Sequence, residues 1–228
     1  MGLQEELSAE VKKTFAAAWS FRKGTVVPKS ADLTLGNEGV DLDATVLYAD
    51  LAESTNLVDT HFPQFAAEIY KTYLYCAARI IRSEGGEITA YDGDRVMAVY
   101  LGGTKNTAAA RTALKINYAV LHIINPALGG AYPKAKYRIK HVVGVDRSSL
   151  HAARTGVRGD NDIVWVGSAA NHAAKLTTLA PTHSSNITEA VYNGMLAPAK
   201  FSSKGEAIWQ KFTWNGKIIY RSNWWWRV

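Results

Sequence analysis

Two aspartates, Asp50 and Asp94, stand where apolar segments of the chain give way to turns. Asp50 follows the run Thr-Val-Leu-Tyr-Ala at 45–49, and Asp94 follows the dipeptide Asp92-Gly93. A carboxylate is costly on an apolar sheet unless something compensates its charge. The pair therefore indicates a divalent metal site, although either aspartate alone is also compatible with a helix cap or an ordinary turn residue.

The elements around these aspartates follow a regular order. Hydrophobic periodicity and turn residues predict a strand at 44–51, a helix at 63–83, strands at 87–91 and 95–100, a helix at 105–124 and a strand at 137–145. This βαββαβ order predicts an α+β fold with a ferredoxin-like core. The first and third strands are neighbours in that core, so we expect Asp50 and Asp94 to converge.

The ligand set predicted in this way suits a hard cation. Carboxylate oxygens favour Mg²⁺ or Mn²⁺, and these ions usually keep positions for water and substrate phosphates. Ser54 and Thr55 lie in the turn directly after the first strand. Because backbone N–H groups at a helix start bind phosphate, we expect this turn to contact a phosphorylated substrate.

Further elements are expected on both sides of the βαββαβ segment. The N-terminal part reads as a helix at 5–21 and a linker, which divides the chain into an N-terminal helix and linker at 1–42 and a catalytic domain at 43–228. A short strand at 163–166, a helix at 168–179 and a hairpin around Asn215-Gly216 form a C-terminal extension.

Composition narrows the class of protein. A chain of 228 residues that is 47% hydrophobic suffices for one well-cored domain. A single cysteine, Cys76, excludes an internal disulfide framework and favours the cytoplasm. No signal peptide is evident, and no apolar run reaches the roughly 20 residues that span a bilayer, so we expect no membrane partner. The net charge of +6 is scattered and no nucleic-acid-binding motif is present, so we expect no nucleic-acid partner either.

Three ordered blocks of the sequence are similar to those of a known enzyme family. They are Val-Leu-Tyr-Ala-Asp-Leu at 46–51 followed by Ser54-Thr55, Gly-Asp-Arg-Val-Met-Ala-Val at 93–99, and a segment at 163–175 in which Gly167 precedes Asn171 by four residues and Lys175 by eight. Together they resemble the class III nucleotidyl cyclases, over about residues 43–180.

The resemblance implies a metal-dependent reaction. Asp50 and Asp94, with the carbonyl of Leu51, would bind two divalent cations, Mn²⁺ or Mg²⁺. The 3′-hydroxyl of a nucleoside triphosphate would then attack the α-phosphorus and release pyrophosphate. Asn171 would orient the ribose and Lys175 would stabilise charge on the α-phosphate. In this family these last two residues come from the partner subunit, so the resemblance implies a homodimer with composite sites.

The chain departs from the family at the catalytic cation and at both base-selecting positions. Lys175 stands where arginine is usual, which keeps the charge but loses the planar fork. Ala90 and Val164 occupy the base-selecting positions of purine cyclases, and neither side chain can hydrogen-bond a purine edge. A pocket without such contacts must select its base by shape or through other donors.

Tyr48 supplies a candidate for that role. It lies two residues before Asp50, so it points to the same side of the strand, where the family commonly has phenylalanine. Its bulk and hydroxyl would suit a pyrimidine, although strand packing alone would also explain it. The combination looks like the Pycsar pyrimidine cyclases of bacterial anti-phage defence, whose cyclic UMP or cyclic CMP switches on an effector.

The sequence therefore predicts a metal-dependent pyrimidine cyclase that acts on UTP or CTP. Two alternatives remain open. One is an adenylate or guanylate cyclase with an atypical base pocket. The other is a non-catalytic nucleotide-binding regulatory module, for which Lys175 is the best argument.

Overall fold

A central sheet organises residues 2–228, which a computed structural model describes. In chain order the elements are α1 (Leu3–Ala16), β1 (Ser20–Lys23), β2 (Glu38–Leu51), α2 (Ser54–Thr60), α3 (Pro63–Ser83), β3 (Glu87–Asp92), β4 (Arg95–Tyr100), α4 (Lys105–Ala119), α5 (Asn125–Ala131), β5 (His141–Val157), β6 (Asp160–Val166), α6 (Ser168–Thr177), β7 (Ser185–Thr188), α7 (Glu189–Asn193), β8 (Gln210–Trp214) and β9 (Lys217–Ser222).

The sheet has the strand order β3-β4-β2-β5-β7-β9-β8, with β1 beside β2 and β6 beside β5. Within it, β2 lies between β4 and β5 and is antiparallel to both. That is the ferredoxin-like order, in which the first strand separates the third from the fourth. The predicted α+β fold with a βαββαβ core is confirmed.

Alternating side chains of the central strands supply two cores. Leu47 and Ala49 of β2 join the core under α3 and α4, whereas Val46 joins a second core under α6. Helix α3 buries Ile69 and Tyr73 toward the first core at helical spacing. The sheet is therefore covered by helices on both faces, and Tyr48 and Asp50, which lie on the same side of β2 as Val46, face α6.

Two strands are much longer than the sequence predicted, and β6 begins at Asp160 instead of 163. β2 begins at Glu38, six residues before the expected start, and β5 runs from His141 to Val157 instead of 137–145. The extensions pair with each other and with β1 and β6, which are long-range pairings that local periodicity does not reveal. β2 thus runs through the predicted division at 42/43.

The N-terminal helix was predicted too long. α1 ends at Ala16, and Ser20–Lys23 forms β1, parallel to the start of β2. Trp19 stacks on Phe21, with ring centroids 5.4 Å apart, and Phe21 contacts His151 of β5. These aromatic contacts stabilise an extended segment where the apolar spacing alone indicated helix.

A second difference follows α4. The helical path does not stop at Asn125-Pro126 but passes through a π-helical turn at Val120–Ile124 into α5. Pro126 lies at the junction of the π-helical turn with α5, and because it has no N–H it donates no hydrogen bond to the preceding turn. The predicted hairpin near the C-terminus is confirmed as β8 and β9, with Asn215 and Gly216 both at positive φ. None of the helices described has the length and apolar character needed to cross a membrane.

Candidate active site

The two aspartates of the sequence prediction lie at one end of neighbouring strands. Asp50 is the next-to-last residue of β2 and lies opposite Arg95 of β4. Asp94 occupies the turn directly before Arg95, after Gly93 with its φ of 60°. Burial, followed by the negative charge of Asp94, raises the pKa of the Asp50 carboxyl to about 6. The carboxylates therefore converge, as the strand order led us to expect.

The donor set at this point fits a hard divalent ion. Asp94 Oδ2 is buried and has no hydrogen-bond partner among residues 2–228. A carboxylate oxygen left in that state is costly, and a cation satisfies it. No group of three His, Cys, Asp or Glu side chains suited to a metal occurs within the same residues. Asp50 and Asp94 would thus leave coordination positions for water and phosphate on such an ion, and a contribution from the backbone oxygen of Leu51 stays a prediction.

Two further residues hold Asp50 and were not identified from the sequence. The hydroxyl of Tyr73, which is fully buried on α3, donates to the backbone oxygen of Asp50 over 3.4 Å. Thr177 Oγ1, near the end of α6, lies 3.2 Å from Asp50 Oδ2. Tyr73 was hidden in an ordinary apolar helix pattern, and Thr177 carried no signal beyond its place in the asparagine-containing segment.

Tyr48 lies beside the carboxylates under a cationic group. It faces the α6 side of the sheet, and the Arg95 guanidinium lies 5.3 Å from the centre of its ring. Arg95 is held in turn by Asp92, at 2.6 Å. Burial raises the pKa of the Tyr48 hydroxyl, so it remains a neutral donor. Tyr48 and Arg95 therefore lie together beside Asp50 and Asp94.

The two predicted base-selecting positions differ in their surroundings. Ala90 of β3 packs against the same core as Tyr48. Val164 lies on β6, pairs with Ala153 and is exposed. The structure thus places Ala90 near Tyr48 and Val164 on another strand, and neither side chain carries a polar atom.

Ser54 and Thr55 form the first turn of α2, directly after β2. Glu53 precedes them in the left-handed conformation, with a φ of 62°. The first N–H groups of a helix lack partners within the helix. The expected phosphate contact at Ser54 and Thr55 stays a prediction.

Helix α6 carries Asn171 and Lys175 one turn apart on an exposed face. No hydrogen bond or ion pair engages either side chain within the described chain. The charges that shift the pKa of Asp50 come from Asp94, Arg95 and Asp92, and Lys175 is not among them. One copy of the chain therefore does not bring Asn171 and Lys175 onto its own carboxylates.

The height of α6 above the sheet depends on Gly144 of β5. A Cβ at this position would lie 2.1 Å from the backbone oxygen of Ala173 and 2.8 Å from Cβ of Leu176. The helix backbone therefore rests directly on the strand backbone. This close approach sets where Asn171, Lys175 and Thr177 are presented.

A second polar cluster lies at the other end of α6. Asp146, only 3% exposed, accepts hydrogen bonds from His172 Nδ1 at 2.9 Å and from the hydroxyl of Thr188. Since the carboxylate only accepts, Nδ1 carries the proton, and His172 Nε2 accepts from Lys217 Nζ at 3.1 Å. The cluster joins β5, α6, β7 and β9 next to Asn171, and its members lie far apart in the sequence, so no local motif predicted it.

Known proteins resemble this chain in sequence and in fold. It is 53% identical over 232 residues to a uridylate cyclase of Xanthomonas perforans and 51% identical over 234 residues to a uridylate cyclase of Burkholderia cepacia, with both chains covered completely in each case. Among solved structures, the guanylyl cyclase Cya2 superposes with a TM-score of 0.67 over 80% of this chain and 92% of that chain, at 14% identity. No family model matches the sequence.

Proposed function

Because this chain belongs to the uridylate cyclase family, we propose that it converts UTP to 3′,5′-cyclic UMP and pyrophosphate with the help of divalent cations. The observation that carries the proposal is the convergence of Asp50 and Asp94 beside Tyr48, in a chain that matches uridylate cyclases over its full length. Family membership also confirms the prediction of a nucleotidyl cyclase and so favours an enzyme over a non-catalytic regulatory module.

Asp50, Asp94 and the carbonyl of Leu51 would hold two ions, Mn²⁺ or Mg²⁺. When bound, such ions make the ribose 3′-hydroxyl a better nucleophile and neutralise phosphate charge. Tyr73 holds the backbone of Asp50, and Thr177 holds its side chain. Ser54 and Thr55 would direct their backbone N–H groups at the triphosphate.

The reaction is an intramolecular displacement at phosphorus. The 3′-oxygen forms a bond to the α-phosphorus while the bond from that phosphorus to the α,β-bridging oxygen breaks. The hydroxyl proton is lost to solvent and pyrophosphate leaves. Asn171 would orient the ribose, and Lys175 would stabilise the charge on the α-phosphate as a point charge.

We assign Asn171 and Lys175 to the site of a partner subunit in a homodimer. The support is that both lie exposed and unengaged on α6, while the carboxylates of the same chain interact with other groups. Each dimer would then contain two composite sites, each built from the carboxylates of one copy and the α6 of the other.

Base selection follows from the surface beside the carboxylates. Tyr48 offers a neutral hydroxyl, and Arg95, whose guanidinium lies over the Tyr48 ring, offers further donors. Ala90 and Val164 supply no hydrogen bond, so a purine gains nothing from them. A small pyrimidine with carbonyl acceptors fits this set, and the names of the relatives favour UTP over CTP.

One assay separates the candidate substrates. Purified protein with Mn²⁺ is offered UTP, CTP, ATP and GTP, and the products are separated by mass. We expect cyclic UMP. Cyclic CMP alone would move the assignment to CTP, and purine products alone would support an adenylate or guanylate cyclase with an atypical pocket. Asp50→Asn and Asp94→Asn should each abolish turnover, whereas the exposed control Asp59→Asn should not.

Complementation tests the composite site. Asp50→Asn chains and Asn171→Ala chains, each inactive alone, are mixed in equal amounts and allowed to exchange subunits. Half of the dimers are then mixed, and each mixed dimer has one intact site, so about a quarter of the wild-type activity should return. A mixture that stays inactive although subunit exchange is demonstrated would refute the shared site.

We further propose that the product acts as a second messenger in anti-phage defence inside the cytoplasm. Support comes from the resemblance of the Tyr48 and Ala90 pattern to the Pycsar cyclases, and from the single cysteine, which suits a reducing compartment. Expression of the active chain and its Asp50→Asn variant, with the neighbouring genes, in bacteria challenged with phage tests this role. Equal plaque counts would contradict it.

A further inference from the structure

We propose that Thr177 is a positioning residue that holds the metal ligand Asp50 in its binding rotamer. This inference rests on the proposed metal-dependent cyclase activity, because it assigns a task to a residue at that same site. Neither the sequence motifs nor the names of the relatives assign Thr177 a role.

The geometry of the hydroxyl carries the inference. Thr177 is buried, and its Oγ1 lies 2.8 Å from the backbone oxygen of Ala174 and 3.2 Å from Asp50 Oδ2. A threonine hydroxyl has one proton, so the helix carbonyl and the carboxylate share it. Within residues 2–228 no other hydrogen bond engages the Asp50 carboxylate. Thr177 therefore occupies Oδ2 and leaves Oδ1 available to a cation.

The backbone of Asp50 is held separately from its side chain. Tyr73 donates to the backbone oxygen from the opposite face of the sheet, where it is completely buried. With the backbone fixed in this way, the remaining freedom of Asp50 is rotation of its carboxylate. Thr177 removes that freedom before an ion arrives, which lowers the entropy lost on binding.

The position of Thr177 on α6 connects its contact with Asp50 to the placement of Asn171 and Lys175. Lys175 lies two residues earlier on the same helix, and Gly144 seats that helix on the sheet. In the proposed dimer, Thr177 of α6 would contact Asp50 of the same chain. Asn171 and Lys175 of the same helix would contact the substrate bound to the partner subunit. A shift of this helix would disturb both sites together.

A direct measurement of metal binding tests the inference. Mn²⁺ binding to the full chain is followed by electron paramagnetic resonance of free Mn²⁺, without nucleotide. Thr177→Val keeps the shape but removes the proton, and we expect its dissociation constant to rise about fivefold. Thr177→Ser keeps the hydroxyl and should stay within about twofold of the wild type.

Thr178→Val is the matched control. The hydroxyl of Thr178 donates to the helix carbonyl of Lys175 at 2.9 Å but is exposed and does not contact Asp50. Its loss should leave Mn²⁺ binding unchanged. If Thr177→Val does not fold, Thr177→Ala removes the same proton with less bulk. In turnover assays, the Mn²⁺ concentration for half-maximal rate should rise, while the rate at saturating Mn²⁺ changes less.

The outcomes separate this inference from the proposed function. If Asp50→Asn abolishes Mn²⁺ binding and Thr177→Val leaves it unchanged, only the role of Thr177 is refuted. If Thr177→Ser weakens binding as much as valine does, the role is also refuted, because the effect then follows side-chain packing. If Asp50→Asn itself binds Mn²⁺ normally, the metal site of the proposed function fails.

Discussion

Gly144→Ala should inactivate the protein through a displacement that the structure measures. The new Cβ would lie 2.1 Å from the oxygen of Ala173, whereas ordinary contact begins at 3.4 Å, so the difference is about 1.3 Å. The obstacle is helix backbone, which cannot rotate away as a flexible side chain can. Helix α6 must therefore rise from β5 by roughly that distance.

The expected loss of activity follows from what α6 carries. Misplacement of catalytic groups by about 1 Å can lower a rate by about a hundredfold. In the proposed dimer the displaced helix holds Asn171 and Lys175 for one site and Thr177 for the other, so we expect at least that loss in cyclic UMP formation from UTP. Overpacking should also lower the free energy of unfolding by about 1–3 kcal/mol.

The assay compares Gly144→Ala with Gly103→Ala. A Cβ at Gly103 meets no atom within 4 Å, so this control adds the same methyl group without a clash. Initial rates are measured at saturating UTP and Mn²⁺, and folding is checked by circular dichroism. A folded Gly144→Ala protein with the rate of the control would refute the argument that backbone contact sets the height of α6.

Three other expectations follow from the site. Because the pKa of Asp50 is raised to about 6, a proton competes with the metal ion for this carboxylate below that pH. Mn²⁺ affinity should therefore stay level above pH 6 and fall about tenfold per pH unit below it. A level affinity profile down to pH 5 would contradict this. Tyr48→Phe should raise KM for UTP about tenfold more than KM for ATP, measured by initial rates. His172→Ala leaves Asp146 buried with one fewer donor and should lower the free energy of unfolding in urea by about 1–3 kcal/mol, with exposed Thr178→Val as the unaffected comparison.

The convergence of Asp50 and Asp94 could be predicted from the sequence because the signals that mark their strand ends are local. The apolar run before Asp50 and the Asp92-Gly93 turn before Asp94 define strand ends, and the βαββαβ order makes those ends neighbours. The same local logic located the hairpin at Asn215-Gly216. Such features need no knowledge of what packs against them.

The features that the sequence did not predict depend on contacts between residues distant in the chain. The apolar spacing around Trp19 matches a helix, but the segment pairs with β2, Trp19 stacks on Phe21, and the Phe21 ring contacts His151 at a tilt. Thr177 gains its importance only because Gly144 lets α6 approach the sheet closely enough to contact Asp50. Tertiary contacts of this kind override propensity and leave no periodic trace.

The two carboxylates lie on parts of the sheet that should open at different rates. β2, which carries Asp50, is hydrogen-bonded on both sides, whereas the hairpin of Asp94 leads to β3 at the edge. Edge hairpins open locally more often than central strands, and amide hydrogen exchange reports such opening. An ion held between Asp50 and Asp94 would tie this edge to the most protected strand. Slower exchange at residues 87–95 would then report metal occupancy along the backbone.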